Sequence, residues 1–73
     1  METMERIAVR SRDIAIIGYD ATQSILEVVF RRGGVYHYTG VPEEICRAFL
    51  NATSQGTYFE REIKNRFPYQ KIR

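Results

Sequence analysis

Tyr36 and Tyr38 flank His37 in the run Val35-Tyr36-His37-Tyr38-Thr39. In an extended chain that spacing puts both phenol rings on one face and Val35, His37 and Thr39 on the other. Two neighbouring tyrosines can form a platform on which unpaired bases stack, or they can wall a small core. Cations that could hold phosphate lie on both sides of them in sequence: Arg31 and Arg32 just upstream, and Lys64, Arg66, Lys71 and Arg73 toward the carboxy terminus. Residues 61–73 carry five cations against one acid, Glu62. If the two clusters shared a surface they would bind polyanions in a salt-sensitive way, with Tyr58 and Tyr69 adding stacking surface where exposed. The formal net charge of +2 is too mild to announce a nucleic-acid binder by itself. An ordinary solvated face, about 25–35% charged, explains the same residues without a ligand. The single Arg32-Gly33-Gly34 box reads as a turn.

Other chemistries are poorly served. His37 is the sole histidine and Cys46 the sole cysteine, too few for a zinc site or a disulfide, and a lone thiol fits a reducing cytoplasm. No serine, cysteine or carboxylate pairing is recognisable around His37, which reads as structural or exposed rather than as a general base. Cys46 reads as a semi-buried filler off the main stripe of its helix. There is no phosphate-binding glycine loop with a lysine and no dinucleotide fingerprint. The expectation is a protein that is not an enzyme and uses no metal or cofactor. The segment Met1 to Ser11 contains Glu2, Glu5, Arg6 and Arg10, unlike a signal peptide, and no stretch reaches transmembrane length. A cytoplasmic protein without a membrane partner is expected, so the Asn51-Ala52-Thr53 sequon reads as chance.

The elements that must position these residues form one domain over residues 1–73. Residues 14–20 and 24–31 are rich in β-branched and aromatic residues and read as strands joined by a short polar turn. Gly33 and Gly34 supply the positive φ angles for a second turn, and residues 35–39 complete a three-stranded antiparallel meander. Ile7 and Val9 either extend the first strand or pair separately. Past Val41 the period changes. Pro42 opens a helix at its first position, with Ile45, Ala48, Phe49 and Ala52 on one stripe and Glu43 and Glu44 at the end favoured by the helix dipole. A second helix runs from Thr57 to Arg66, with Thr57 and Glu60 at capping-box spacing, Ser54 as the competing cap, and Phe59, Ile63 and Phe67 as its stripe. Glu43 to Arg47, Glu60 to Lys64 and Glu62 to Arg66 are acid-first pairs that support the helices. Pro68 ends the second helix and leaves a basic tail over residues 68–73, either disordered or paired with a sheet edge. The fold class is α+β, a meander followed by two helices packed on one face.

The second turn decides where the tyrosines point. A three-residue Arg32-Gly33-Gly34 loop sets Phe30 opposite Tyr36 and Val28 opposite Tyr38, placing both rings on the apolar face; this is favoured because so small a domain needs the area. A two-residue loop sets them beside Glu27 and Val29, on a wetter face.

The segments Ile17-Gly18-Tyr19-Asp20, Leu26-Glu27-Val28-Val29-Phe30, Tyr36-His37-Tyr38, Val41-Pro42, Ser54-Gln55-Gly56, Tyr58-Phe59 and Phe67-Pro68 follow one another in an order that resembles the KTSC domain. That family is named for the carboxy-terminal domain of some lysyl-tRNA synthetases and also occurs as small free-standing bacterial proteins. The resemblance spans about residues 10–70, and its tyrosine, any residue, tyrosine marker falls on Tyr36 and Tyr38. It implies the fold, and through the synthetase fusions it suggests RNA. Glu60 stands where an asparagine often follows Tyr-Phe, and Phe67 where tyrosine often precedes the proline; an acid at position 60 would weaken an anion site there. The expected function is a small binding module for RNA or a similar polyanion, tRNA-like or single-stranded. Arg31, Arg32, Lys64, Arg66, Lys71 and Arg73 would lie on phosphates and Tyr36, Tyr38, Tyr58 or Tyr69 on bases. The alternative is a protein-interaction or self-association module acting through a strand edge or a helix face.

Overall fold

Five strands make one antiparallel sheet in chain order: β1 (Glu5–Ala8), β2 (Ile14–Asp20), β3 (Ile25–Phe30), β4 (Val35–Thr39) and β5 (Tyr69–Lys71). The computed structural model describes residues 4–73. Residues 1–3, part of the charged amino-terminal segment read above, lie outside the described residues. The expected meander is β2, β3 and β4, so the count of three strands was incomplete: β1 and β5 add an edge on each side. Both additions are short and exposed throughout, so they show little of the buried alternation that marks a strand in sequence. The end of the basic tail is paired, with β5 against β4 and Val35 N–H donating to the Arg73 carbonyl at 2.9 Å.

Local chemistry explains the turns. Between β2 and β3 the Asp20 carboxylate accepts from the Thr22 and Gln23 amides at 3.0 and 3.2 Å, closing an Asx turn, and Ser24 takes a positive φ of 57°. Between β3 and β4 the Phe30 amide donates to the Gly34 carbonyl at 3.1 Å and the Gly33 amide to the Phe30 carbonyl at 2.9 Å. The loop is therefore Arg31-Arg32-Gly33, one residue earlier than expected, with Gly33 and Gly34 at φ of 108° and 101°. Val28 pairs with Tyr36 and Leu26 with Tyr38, a two-residue shift from the expected partners. A shift of two preserves the face, so both tyrosines lie with Leu26, Val28 and Phe30 as the favoured alternative required.

Helix α1 spans Glu43–Leu50. Pro42 is its cap residue, extended at ψ 154°, rather than its first helical residue, and its carbonyl accepts from Ile45 and Cys46. The buried stripe is Cys46 and Phe49, flanked by half-buried Ile45 and Leu50; Ala48 is exposed and Ala52 lies beyond the helix. The stripe is thus rotated from the expected one, and Cys46 lies on it, because Phe49 with Leu50 removes more apolar area from water than the two alanines could. The second helix is also different. A short α2 (Gln55–Tyr58) continues into a π-helical segment, Phe59–Ile63, where the Lys64 amide donates to the Phe59 carbonyl five residues back at 2.9 Å. Ser54 is its cap, its hydroxyl oxygen accepting from the Thr57 amide at 3.2 Å. The Thr57–Glu60 capping box does not form, since Glu60 instead meets Lys64 at 3.5 Å. Glu43–Arg47 at 3.2 Å and Glu62–Arg66 at 2.5 Å complete the expected acid-first pairs.

The core joins Ile14 and Ile17 of β2, Leu26 and Val28 of β3, and Tyr38 of β4 to Val41, Cys46, Phe49, Phe59 and Ile63. One sheet face is therefore packed with α1 and the second helical segment. Phe59 is 5% exposed and meets Phe30, Tyr38 and Phe49 at ring-centroid distances of 5.4, 5.6 and 6.3 Å. Phe59→Ala is expected to cost about 3–5 kcal/mol in urea unfolding, enough to unfold much of so small a chain. A loss near zero would place Phe59 at the surface.

Candidate functional site

The β4–β5 register adds a third tyrosine to the pair. Tyr38 faces Tyr69 and Tyr36 faces Lys71. The three phenol rings touch, with centroids 6.5 Å apart for Tyr36–Tyr38, 5.7 Å for Tyr36–Tyr69 and 5.6 Å for Tyr38–Tyr69. Phe30 meets Tyr36 edge-on at 5.6 Å and Phe59 meets Tyr38 edge-on at 5.6 Å, which fixes the two inner rings. Exposure rises across the trio from 3% at Tyr38, through half-buried Tyr36, to 60% at Tyr69. The cluster is core at one end and open surface at the other.

These rings line an open cleft of about 630 Å³ between the β3–β4 hairpin, β5 and the π-helical segment. Its polar lining is Asp13, Arg32, Glu60, Lys64 and Asn65. The Lys71 ammonium lies 6.0 Å from the Tyr36 ring centroid, in cation–π range. Burial, reinforced by the oxygens of Tyr36, Tyr69 and Glu60, pushes the Tyr38 hydroxyl up to about 12. Tyr38 therefore keeps its proton at neutral pH and can donate it to a ligand. Among the described residues no protein group hydrogen-bonds that hydroxyl, which opens onto the cleft.

Of the residues singled out in the sequence, the structure gathers Tyr36, Tyr38, Tyr69, Arg32, Lys64 and Lys71. It takes Arg31 elsewhere: its guanidinium donates to the Ser11 and Val9 carbonyls at 2.7 and 2.8 Å and staples the β1–β2 connection. Arg66 pairs with Glu62 on the helix surface, and neither it nor Arg73 lines the cleft. Tyr58 stacks on Phe49 at 5.7 Å, outside the cleft. Sequence reasoning missed Asp13 and Asn65, polar residues in ordinary loop contexts with no spacing signal. Burial pushes the Cys46 thiol up, which leaves it protonated.

A second polar cluster lies on the other sheet face, and it corrects the reading of His37 as lacking a carboxylate partner. Glu27 pairs across the strands with His37, and its carboxylate takes the Arg6 Nε–H at 2.7 Å while its other oxygen lies 2.8 Å from His37 Nε2. The signal was the cross-strand position, which depends on the register. Arg6 reaches Glu27 across Gly18, its own partner on β2, where an added Cβ would lie 3.1 Å from the Arg6 side chain and 3.0 Å from the Met4 sulfur. The Arg6 hydrogen bond holds the Glu27 carboxyl below its ordinary range, against the opposing effect of burial and with further help from His37. No group of three or more potential ligands that could hold a metal ion occurs among the described residues, and no described helix is long and apolar enough to cross a membrane.

An antiparallel α+β sheet carrying an open aromatic cleft with a mixed-charge rim defines a small-domain architecture, and known proteins share it. The chain belongs to the KTSC domain family, whose model matches residues 10–67. It is similar to the crystal structure of a KTSC domain protein from Yersinia pestis, with a TM-score of 0.94 and 42% identity over 97% of this chain and all of that one. It is also 43% identical over 61 residues to an uncharacterised protein of Stutzerimonas stutzeri, covering 84% of this chain and 86% of the relative. A lysine–tRNA ligase of Trichormus variabilis is 37% identical over 54 residues, 74% of this chain but 10% of the ligase.

The outer cluster carries a pH prediction. A carboxyl lowered in the folded state stabilises the fold above its unfolded value, ordinarily 4.5, and loses that contribution as pH falls through its folded value. Glu27→Gln should therefore lower stability by about 1–2 kcal/mol at pH 7, and the gap to wild type should close as the pH falls below the ordinary carboxyl value of 4.5 and through the lowered one. An undiminished gap at low pH would mean that the carboxylate charge is not what matters.

Proposed function

We propose that the cleft binds single-stranded RNA, weakly, as an accessory module without catalysis. The observation that carries this reading is the graded tyrosine trio: two rings held by Phe30 and Phe59, and a third, Tyr69, free to meet a base. A base stacked on an exposed aromatic contributes about 1–3 kcal/mol whatever its identity. Arg32 and Lys64 in the cleft lining, and Lys71 against the Tyr36 ring, support contact with the phosphates of such a strand. A related segment forms a tenth of a protein named lysine–tRNA ligase, a further reason to look to RNA.

Docking through a sheet edge is less well supported. Strands β1 and β5 are four and three residues long and carry Glu5, Arg6 and Lys71, the short, charged character that blunts edge pairing.

Binding of fluorescently labelled single-stranded RNA, followed by anisotropy over a salt series, tests the proposal. Tyr69→Ala, at an exposed position, should keep the fold and weaken binding roughly tenfold. Lys71→Ala should weaken it at low salt and lower the slope of log affinity against log salt by about one. The variant Arg31→Ala should act through stability, with binding retained by the folded fraction. Binding indifferent to Tyr69→Ala and Lys71→Ala would remove the cleft from the interaction.

A further inference from the structure

The Tyr38 ring is buried, while its hydroxyl, with no protein partner among the described residues, opens onto the cleft. Such a hydroxyl exchanges water for the complementary atom of a ligand, and its surroundings say which atom. Glu60 lines the same cleft and directly follows Phe59, whose ring meets Tyr38 at 5.6 Å. Its ion pair with Lys64 spans 3.5 Å between side chains more than half exposed, an interaction weak enough to exchange for a ligand. The cleft thus presents one hydroxyl donor beside one carboxylate acceptor, over an aromatic floor.

We infer that this pair reads the edge of a single unpaired base, and that the base is guanine. This rests on the RNA-binding reading. Guanine carries, in a row, a keto oxygen and two N–H donors: the first accepts from the Tyr38 hydroxyl, and the other two meet both oxygens of Glu60. Uracil sets a carbonyl on each side of its one N–H, so a carboxylate there meets repulsion. Adenine and cytosine each offer an amino group beside a ring nitrogen lone pair, which leaves one carboxylate oxygen without a donor. The charges then have separate tasks: Glu60 in the cleft takes the base edge, while Arg32 on the hairpin tip and Lys71 on β5, against Tyr36, take phosphate.

The experiment compares oligouridine hexamers with hexamers in which one central uridine is replaced by guanosine, adenosine, cytidine or inosine, which lacks the amino group. The guanosine hexamer should bind roughly tenfold more tightly than oligouridine, with inosine between them. Glu60→Gln should erase that preference while leaving oligouridine affinity equal or higher, since a negative charge is removed. Tyr38→Phe should reduce the preference several-fold at unchanged thermal stability, because the hydroxyl has no internal partner to lose. Equal affinity for every hexamer, or a preference that survives Glu60→Gln, overturns the guanine inference and leaves the stacking reading standing. Absence of binding by all of them overturns both.

Discussion

The register of β3 against β4 is the constraint on which the rest depends. Two consecutive glycines at positive φ close the hairpin after Phe30 and seat Tyr36 on Val28 and Tyr38 on Leu26. A slip of one residue would turn both tyrosines to the opposite face and bring His37 and Glu27 into the core. Because β5 pairs with β4, the same register places Tyr69 and Lys71 beside the tyrosines, so one turn builds both the edge of the core and the floor of the cleft. The site is therefore continuous with the core, with Tyr38 belonging to both.

The two sheet faces divide the work. On the packed face, apolar burial holds the helices and leaves a cleft where the aromatic layer meets the hairpin tip. On the other, the carboxylate of Glu27 is almost enclosed and is satisfied by Arg6 and His37, joining β1, β3 and β4 through side chains. Gly18 matters here because the Arg6 side chain passes over it. A buried carboxylate with one partner removed is costly, so this network favours the observed register over its neighbours.

Much of this was legible in the chain. The β-branched and aromatic content of 14–20 and 24–31, the paired glycines and the Pro42 boundary gave the meander and the first helix, and the Tyr-Phe and Tyr-His-Tyr segments pointed to the family. The edge strands were harder, since three or four exposed residues show too little periodicity to stand apart from loop. The π-helical segment was hidden for another reason: Phe59 and Ile63 are spaced as on an α-helix, and the wider turn shows only in the Lys64–Phe59 hydrogen bond. Charge clusters in sequence do not reveal which cations have partners within the fold, as Arg31 has in backbone carbonyls and Arg66 in Glu62. The Glu27–His37 pair could be read only after the register was known.

On the proposed function, the tyrosine cleft rather than the outer face is where this protein meets its ligand. Amide chemical shifts of isotopically labelled protein, followed while guanosine-containing single-stranded RNA is added, test it directly. Shifts concentrated at Arg32, Tyr36, Tyr38, Glu60, Lys64, Tyr69 and Lys71 are the expected result. Shifts concentrated at Arg6, Gly18, Glu27 and His37, with the cleft unmoved, would contradict it.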